Sequence, residues 1–278
     1  MRAAFENGIN FFDTAPAYGA GHSETLIGET FAAKREQVVI ATKGGMRRFD
    51  EPADYAPDAL RKSLEESLRR LKTDYVDLYQ LHSPPEEVLN APGAVNDLID
   101  SLRREGVIRA FGVSVARPED GILAMDRFDI DAIQANFSLV DQRALDCGLL
   151  AEAKDRKVAV IARTPLCFGL LSGNYDRQTR FDPADHRSRW SPEQIERWVD
   201  AADRFAMASD CPQPQSKAQV ALRYCLSFSA VCTTIPGMMT EDEVHENAAA
   251  GGLGPLSSAE LDAARNIYQS DSFFVNDR

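Results

Sequence analysis

Four side chains suited to acid–base chemistry stand at or just after short apolar runs. Asp13 ends INFFD and Tyr18 follows in TAPAYG, while Lys43 ends VIATK and His82 ends VDLYQLH. A tyrosine beside an ammonium group that is paired with a carboxylate is an acid device, because a nearby cation favours the phenolate left after proton donation. The set predicts protonation of a carbonyl oxygen as hydride reaches the carbonyl carbon.

Each member of this set has a predicted role and an ordinary alternative. Tyr18 is the predicted general acid, Lys43 the activating cation and Asp13 the group that holds the lysine, while His82 hydrogen-bonds the same substrate oxygen. Taken singly, a strand-end aspartate often caps a turn, a lysine is usually solvated and a histidine is more often structural. Their joint occurrence at strand ends favours the catalytic interpretation.

Seven apolar runs of strand length alternate with amphipathic stretches. The predicted strands are 9–13, 38–42, 76–81, 110–114, 132–135, 158–163 and 231–235, and the predicted helices are 23–32, 57–71, 95–105, 118–126, 144–156, 216–228 and 240–249. This alternation predicts parallel strands covered by helices. No G-x-G-x-x-G follows the first strand, so the pattern favours a TIM-type (β/α) barrel, whose functional side chains gather where the strands end.

Local signals at the element ends agree with this order of strands and helices. No linker-like segment divides the chain, so we expect one domain over residues 1–278. Pro57 is suited to open a helix, Gly106 to close one, and Thr240 with Glu243 forms a capping-box pattern. The irregular stretch 169–192 is long enough to be a binding loop. The alternative is that its aromatic and charged residues only fix the loop to the rim of the fold.

Composition and charge exclude several classes of function. The 278 residues carry a formal net charge of −12, which opposes general attraction to nucleic acid or to an anionic membrane. No apolar run is long enough to span a bilayer and no secretory signal pattern opens the chain, so we expect a cytoplasmic protein. The five cysteines lack metal-ligand spacing, so we expect reduced thiols and no metal site.

Five segments resemble, in order and spacing, the motifs of the aldo-keto reductases. They are INFFDTAPAYG, VIATKGG, LYQLHSP, IRAFGVS and TIPGMMTEDEVHEN, and the resemblance covers nearly the whole chain. It implies a β/α barrel and an NAD(P)-dependent oxidoreductase that interconverts an aldehyde or ketone, sugar-like or small, and its alcohol. It also implies the catalytic set Asp13, Tyr18, Lys43 and His82, with tyrosine as the general acid.

The resemblance further implies a set of cofactor contacts for NADP or NAD. Ser114 and Gln134 match positions that hydrogen-bond the nicotinamide carboxamide, and Arg163 stands where many members stack a tyrosine on the ring. The remaining implied contacts are Pro165, Leu166, Gly169 and Leu171 in the pyrophosphate-covering segment, and Pro236, Gly237, Thr240, Glu243 and Asn247 on the adenosine side, with Asn247 at the adenine.

An acidic stretch follows Gly237, where many family members have a basic residue that binds the 2′-phosphate of NADP. Met238, Met239 and Thr240 are followed here by Glu241-Asp242-Glu243. Acidic side chains repel a phosphate and can accept hydrogen bonds from a free ribose hydroxyl. We therefore predict tolerance of, or preference for, NAD. The alternative is that a basic residue from elsewhere, such as Lys217 or Arg223, binds the phosphate.

Residues 1–7 resemble the end of the family's first helix, so the expected barrel lacks the family's N-terminal hairpin and first strand. A chain start placed too far downstream is the favoured explanation; a seven-stranded variant and completion by a partner stay open, and the oligomeric state is not predicted. Two other functions also stay open. One is a nucleotide-binding sensor or regulatory subunit, and the other is a redox-neutral lyase on the same scaffold.

Overall fold

The computed structural model describes residues 1–209 and 214–275; Cys211, one of the predicted reduced cysteines, lies outside these ranges. Strands and helices alternate along the described chain. The strands are β1 (Phe11–Asp13), β2 (Val39–Gly44), β3 (Val76–His82), β4 (Ile108–Ser114), β5 (Ala132–Asn136), β6 (Ala159–Arg163) and β7 (Val231–Ile235). The strand order in the sheet follows the chain, and helices occur after every strand, as predicted for the (β/α) class.

Twelve α-helices lie within the described ranges. They are α1 (Arg2–Glu6), α2 (His22–Phe31), α3 (Pro57–Leu71), α4 (Glu86–Asn90), α5 (Gly93–Glu105), α6 (Pro118–Arg127), α7 (Arg143–Asp146), α8 (Leu149–Arg156), α9 (Pro192–Met207), α10 (Lys217–Leu226), α11 (Glu241–Ala250) and α12 (Ser258–Gln269). Short 3₁₀ segments occupy Ala32–Gln37, Cys167–Gly169, His186–Arg189 and Gly251–Leu253. No helix in these ranges has the length and apolar character required to cross a membrane.

The chain groups into two compact units, the first being Met1–Ala135 with Cys147–Ile161. Its strands pair in parallel, and the register places Lys43 beside Gln80 and His82 beside Ser114. The next ladder places Ser114 beside Gln134. The register therefore aligns the polar ends of consecutive strands.

Helix α3 shows how the sequence pattern covers this sheet. Pro57 is the first helical residue, and the leucines at positions 60, 64 and 71 are each at most 2% exposed. The leucines recur at helical spacing, so one face of the helix is buried. Gly106 ends α5 in the left-handed conformation, as its position predicted.

The second unit comprises Asn136–Asp146 and the chain from Ala162 onward. Helix α11 begins with the predicted Thr240–Glu243 capping box, and α10 has a second box between Ser216 and Gln219. Whether the units make a single domain, as the sequence predicted, stays a prediction.

Two helices of this unit were missed from the sequence, although their signals were present. Ser191 caps α9 ahead of Pro192 at its first turn, and the helix buries Ile195, Trp198 and Phe205. Helix α12 follows a capping box between Ser257 and Glu260.

The predicted single helix over 144–156 is wrong in one respect. The chain breaks it into α7 and α8, because Gly148 adopts φ 81° before α8 begins. A left-handed residue ends the regular hydrogen-bonding pattern of a helix, and glycine reaches that conformation without steric cost.

Candidate active site

A buried lysine contacts two of the other predicted catalytic residues. Lys43 Nζ lies 2.5 Å from Asp13 Oδ2, 2.9 Å from the Thr14 carbonyl oxygen and 3.3 Å from the Tyr18 hydroxyl. The lysine side chain is fully buried and that of Asp13 is 6% exposed. A buried ammonium requires a carboxylate and further hydrogen bonds to offset its desolvation, and this lysine has both.

His82 completes the set through its ring. The His82 and Tyr18 rings lie 5.8 Å apart, edge to face, and the histidine is 4% exposed. The first unit therefore brings all four residues together, as the sequence predicted, with Tyr18 only half-buried. The chemical role of each stays a prediction.

Two buried glutamines donate hydrogen bonds to the Asp13 carboxylate. Gln134 Nε2 donates to Asp13 Oδ1 at 2.8 Å, and Gln80 Nε2 donates to the same oxygen at 3.3 Å. Ser114 Oγ lies 3.2 Å from Gln134 Oε1, to which it donates. One carboxylate oxygen thus accepts from amides while the other accepts from Lys43. Gln80 was missed from the sequence; its signal is a polar residue inside the apolar run VDLYQLH.

Two other phenols near the site serve as structural donors. Burial raises the pKa of Tyr55 to about 12, and its hydroxyl donates to the His82 carbonyl oxygen at 2.6 Å. Burial also raises the pKa of Tyr79 above its usual value, and its hydroxyl donates to the Leu60 carbonyl oxygen at 3.1 Å. Both groups keep their protons across the working pH range and fix the strands and helix around the site.

The glycine pair after Lys43 leaves room for these two rings. A Cβ at Gly44 would overlap the Tyr79 hydroxyl, and one at Gly45 would overlap the Tyr55 ring. Gly45 also has φ +99°, which side-chain-bearing residues rarely adopt. The KGG motif is therefore set by packing as well as by the chemistry of its lysine.

We expect Gly44→Ala to lower the free energy of unfolding by about 1–3 kcal/mol, because the added methyl group meets a ring anchored by its own hydrogen bond. Chemical denaturation would measure it. The matched control is Gly93→Ala, at a helical position where the new Cβ meets nothing within 4 Å. Equal stability of the two variants would contradict the packing argument.

A second buried carboxylate connects the turn that carries Tyr18 to the strand that carries Lys43. Glu24, fully buried on α2, accepts from Thr42 Oγ1 at 2.6 Å and from Arg70 Nε at 2.7 Å. Helix α2 begins just after the Tyr18 turn, and Thr42 directly precedes Lys43. Sequence reasoning missed Glu24, because nothing local marks a helix-surface glutamate as buried.

The predicted pyrophosphate-covering segment forms a compact turn in the second unit. Pro165, Leu166 and Leu171 are buried, and the Leu166 carbonyl oxygen accepts from the amides of Gly169 and Leu171 at 2.9 and 3.1 Å. The two leucine side chains are therefore part of the buried core, being 7% and 1% exposed. Arg163 Nε donates to Asn136 Oδ1 at 2.9 Å, which fixes the predicted stacking residue at the end of β6.

The residues predicted to contact the adenosine part of the cofactor lie between the end of β7 and Asn247 of α11. Pro236 and Gly237 follow β7, and the Glu243 carboxylate accepts from the Met239 and Thr240 amides at 2.6 and 3.2 Å. Thr240 and Glu243 thus make the helix cap. Asn247 is 9% exposed, and its Oδ1 has no hydrogen-bond partner among residues 1–209 and 214–275.

The two basic residues offered as alternative phosphate ligands are engaged elsewhere in this unit. Arg223 is 4% exposed and donates to the carbonyl oxygens of Gly254 and Pro255 at 2.8 and 3.0 Å. Lys217 Nζ lies 2.6 Å from an Asp203 carboxylate oxygen. Arg223 cannot reach a phosphate without breaking buried hydrogen bonds, whereas the Lys217 pair is partly exposed and weaker.

Arg187 organises the stretch 169–192. Its guanidinium pairs with Asp185, whose pKa the hydrogen bond lowers to about 2, and donates to the Tyr175 hydroxyl at 2.8 Å. It also lies 4.1 Å from the centre of the Phe181 ring. These contacts within the stretch favour the interpretation that the residues fix the loop.

The sequence model of the aldo/keto reductase family matches residues 1–269. L-galactose dehydrogenase of Arabidopsis thaliana is 32% identical over 90% of this chain and 76% of its own length. The NADH-specific methylglyoxal reductase of Escherichia coli K12 is 29% identical over 95% of this chain and 84% of its own.

Two solved structures are also similar to this chain. The glycerol dehydrogenase of Gluconobacter oxydans superposes with a TM-score of 0.84 and 29% sequence identity, covering 99% of this chain and 86% of that one. An aldo-keto reductase of Bacillus halodurans superposes with a TM-score of 0.77 at 26% identity over 96% of this chain. The predicted TIM-type (β/α) barrel class is confirmed.

Proposed function

We propose a mechanism for this chain, which belongs to the aldo/keto reductase family and is an oxidoreductase of that kind. Tyr18 donates a proton to the carbonyl oxygen of an aldehyde or ketone during its reduction by NAD(P)H. The observation that carries the proposal is the chain of contacts from the Tyr18 hydroxyl through Lys43 to Asp13. When the tyrosine gives up its proton, the ammonium 3.3 Å away stabilises the phenolate.

In this proposal His82 orients the same carbonyl oxygen. Its ring meets the Tyr18 ring edge to face, and Tyr55 holds its backbone in place. Two hydrogen-bond donors to one oxygen would position the carbonyl and stabilise the negative charge that develops there. The nicotinamide, when bound, supplies the hydride.

Polar groups of the chain fit a nicotinamide dinucleotide. In the second unit, the unpartnered Oδ1 of Asn247 suits an amine donor such as that of adenine, because a buried acceptor without a partner is costly. In the first unit, Ser114 and Gln134 offer a hydroxyl and an amide for the carboxamide. Gln134 Oε1 can accept a second hydrogen bond beside that from Ser114.

NADH is expected to bind at least as tightly as NADPH. The capping carboxylate of Glu243 adds negative charge beside Thr240, and Arg223 is held by buried hydrogen bonds. The relative described as an NADH-specific reductase is consistent with this. Fluorescence titration of the protein with both nucleotides measures the preference, and a clearly tighter NADPH complex would refute it.

A charge-gain variant sharpens this test. Met239 is 92% exposed and lies next to the α11 cap, so Met239→Arg should tighten NADPH binding by about tenfold and change NADH binding little. The matched control is Met207→Arg, a 78% exposed methionine at the end of α9. Equal effects of the two substitutions on NADPH binding would show that only the overall charge of the protein affects that binding.

Turnover of a carbonyl panel with both nucleotides tests the function itself. Consumption of one reduced nicotinamide per carbonyl, followed by absorbance, is expected. Nucleotide binding without turnover on any carbonyl would favour the sensor, and turnover of a sugar without absorbance change would favour the lyase.

A further inference from the structure

A hydrogen bond between two hydroxyl groups closes the turn that carries Tyr18. Thr14, fully buried directly after β1, donates from its Oγ1 to Ser23 Oγ on α2 at 2.9 Å. The backbone amide of Ser23 in turn donates to the Tyr18 carbonyl oxygen at 3.3 Å. The start of α2 is therefore attached both to the end of β1 and to the backbone of the tyrosine.

The same threonine contacts the buried lysine through its backbone. Lys43 Nζ donates to the Thr14 carbonyl oxygen at 2.9 Å and lies 3.3 Å from the Tyr18 hydroxyl. These contacts and those of Ser23 make a closed ring of hydrogen bonds through Lys43, Thr14, Ser23 and Tyr18. The distance between the phenol and the ammonium group therefore depends on where Ser23 holds the turn.

The backbone that follows Tyr18 does not fix this turn by itself. Gly19, Ala20 and Gly21 have φ angles of 61°, 50° and 88°. Glycine is only weakly restrained in this region and alanine is strained there, so tertiary contacts must impose the conformation. The tyrosine is also only half-buried, so packing holds only part of its side chain. The bonds between Thr14 and the start of α2 supply the missing restraint.

We propose that Thr14 and Ser23 are positioning residues for proton donation, because their hydroxyl pair sets the place of the Tyr18 phenol beside Lys43. Proton donation requires the phenol to lie within reach of both the ammonium group and the carbonyl oxygen. A displacement of about 1 Å in such an arrangement can lower a rate about 100-fold. This inference rests on the proposed function, since it takes Tyr18 as the acid.

The first test removes each hydroxyl group of the pair. Thr14→Val and Ser23→Ala should each lower kcat about tenfold and change KM less, because the loss is in the geometry of the chemical step. Thr14→Ser keeps the hydroxyl and should retain most of the wild-type kcat. The matched control is Thr30→Val on the same helix α2, where the hydroxyl donates only to the Leu26 carbonyl oxygen and kcat should not change. Unchanged kcat in both Thr14→Val and Ser23→Ala would overturn the proposal.

A double substitution separates positioning from a general structural effect. If the pair acts through the Tyr18 hydroxyl, Thr14→Val should lower kcat no further in a protein that already carries Tyr18→Phe. A purely structural role would lower kcat by the same factor with and without the Tyr18 hydroxyl. That result would overturn the proposal.

A spectroscopic measurement separates this proposal from the proposed function. In protein labelled with carbon-13 at the tyrosine Cζ, the Tyr18 resonance is assigned from its absence in Tyr18→Phe. It should shift in Thr14→Val and Ser23→Ala and stay in place in Thr30→Val. An unchanged resonance in the first two variants would overturn the positioning pair, whatever the turnover. A shifted resonance together with full turnover of Tyr18→Phe would instead refute the proposed acid, and with it a role of the pair in proton donation.

Discussion

Tyr18→Phe should lower kcat by roughly 10²–10⁴-fold, the range expected for loss of a general acid, and leave nucleotide affinity near that of the wild type. The substitution removes one oxygen and keeps the ring that stacks on Phe49 and meets His82. Only the proton donor 3.3 Å from Lys43 Nζ is lost. Single-turnover absorbance measurements on the preformed nucleotide complex would report the chemical step directly.

The control for this variant is Tyr55→Phe. Tyr55 also lies beside the catalytic set, but its hydroxyl donates to a backbone carbonyl oxygen and burial raises its pKa to about 12. Loss of that hydroxyl should lower stability by about 1 kcal/mol and kcat far less than Tyr18→Phe does. A Tyr18→Phe protein that retains full turnover would remove the basis of the proposed mechanism.

Asp13→Asn should lower the free energy of unfolding by about 3–5 kcal/mol, because it leaves a fully buried lysine without its carboxylate. It should also abolish most turnover, since Lys43 would lose the group that holds it near Tyr18. Thermal and denaturant unfolding would measure the first effect, and the carbonyl assay would measure the second.

A double substitution distinguishes charge from shape. Asp13→Asn combined with Lys43→Met removes both buried charges, so it should recover much of the stability lost in the single variant while turnover stays low. The surface control is Glu29→Gln, whose partner Lys72 lies 3.9 Å away with both side chains more than half exposed. That substitution should change stability by less than about 0.5 kcal/mol. A double variant no more stable than Asp13→Asn would show that uncompensated charge is not the cause.

Much of the fold could be predicted from the sequence because its signals are local. Apolar runs of strand length alternate with helical spacing, and Pro57, Gly106 and the Thr240–Glu243 pair mark element ends. The helix expected over 144–156 failed because a left-handed Gly148 outweighs the apolar spacing on either side of it. The local pattern predicts the alternation of strands and helices, but not every break within a helix.

The sequence by itself determined that Asp13, Tyr18, Lys43 and His82 would stand at strand ends, since each follows an apolar run directly or by a short turn. Only the tertiary structure decided what supports and surrounds them. Gln80 and Glu24 became buried partners through strand register and helix packing across long separations in the chain. Phe49 came to lie on Tyr18 through the path of an irregular turn. Such contacts depend on which distant segments of the chain the fold brings together, and residue type and local spacing do not determine that.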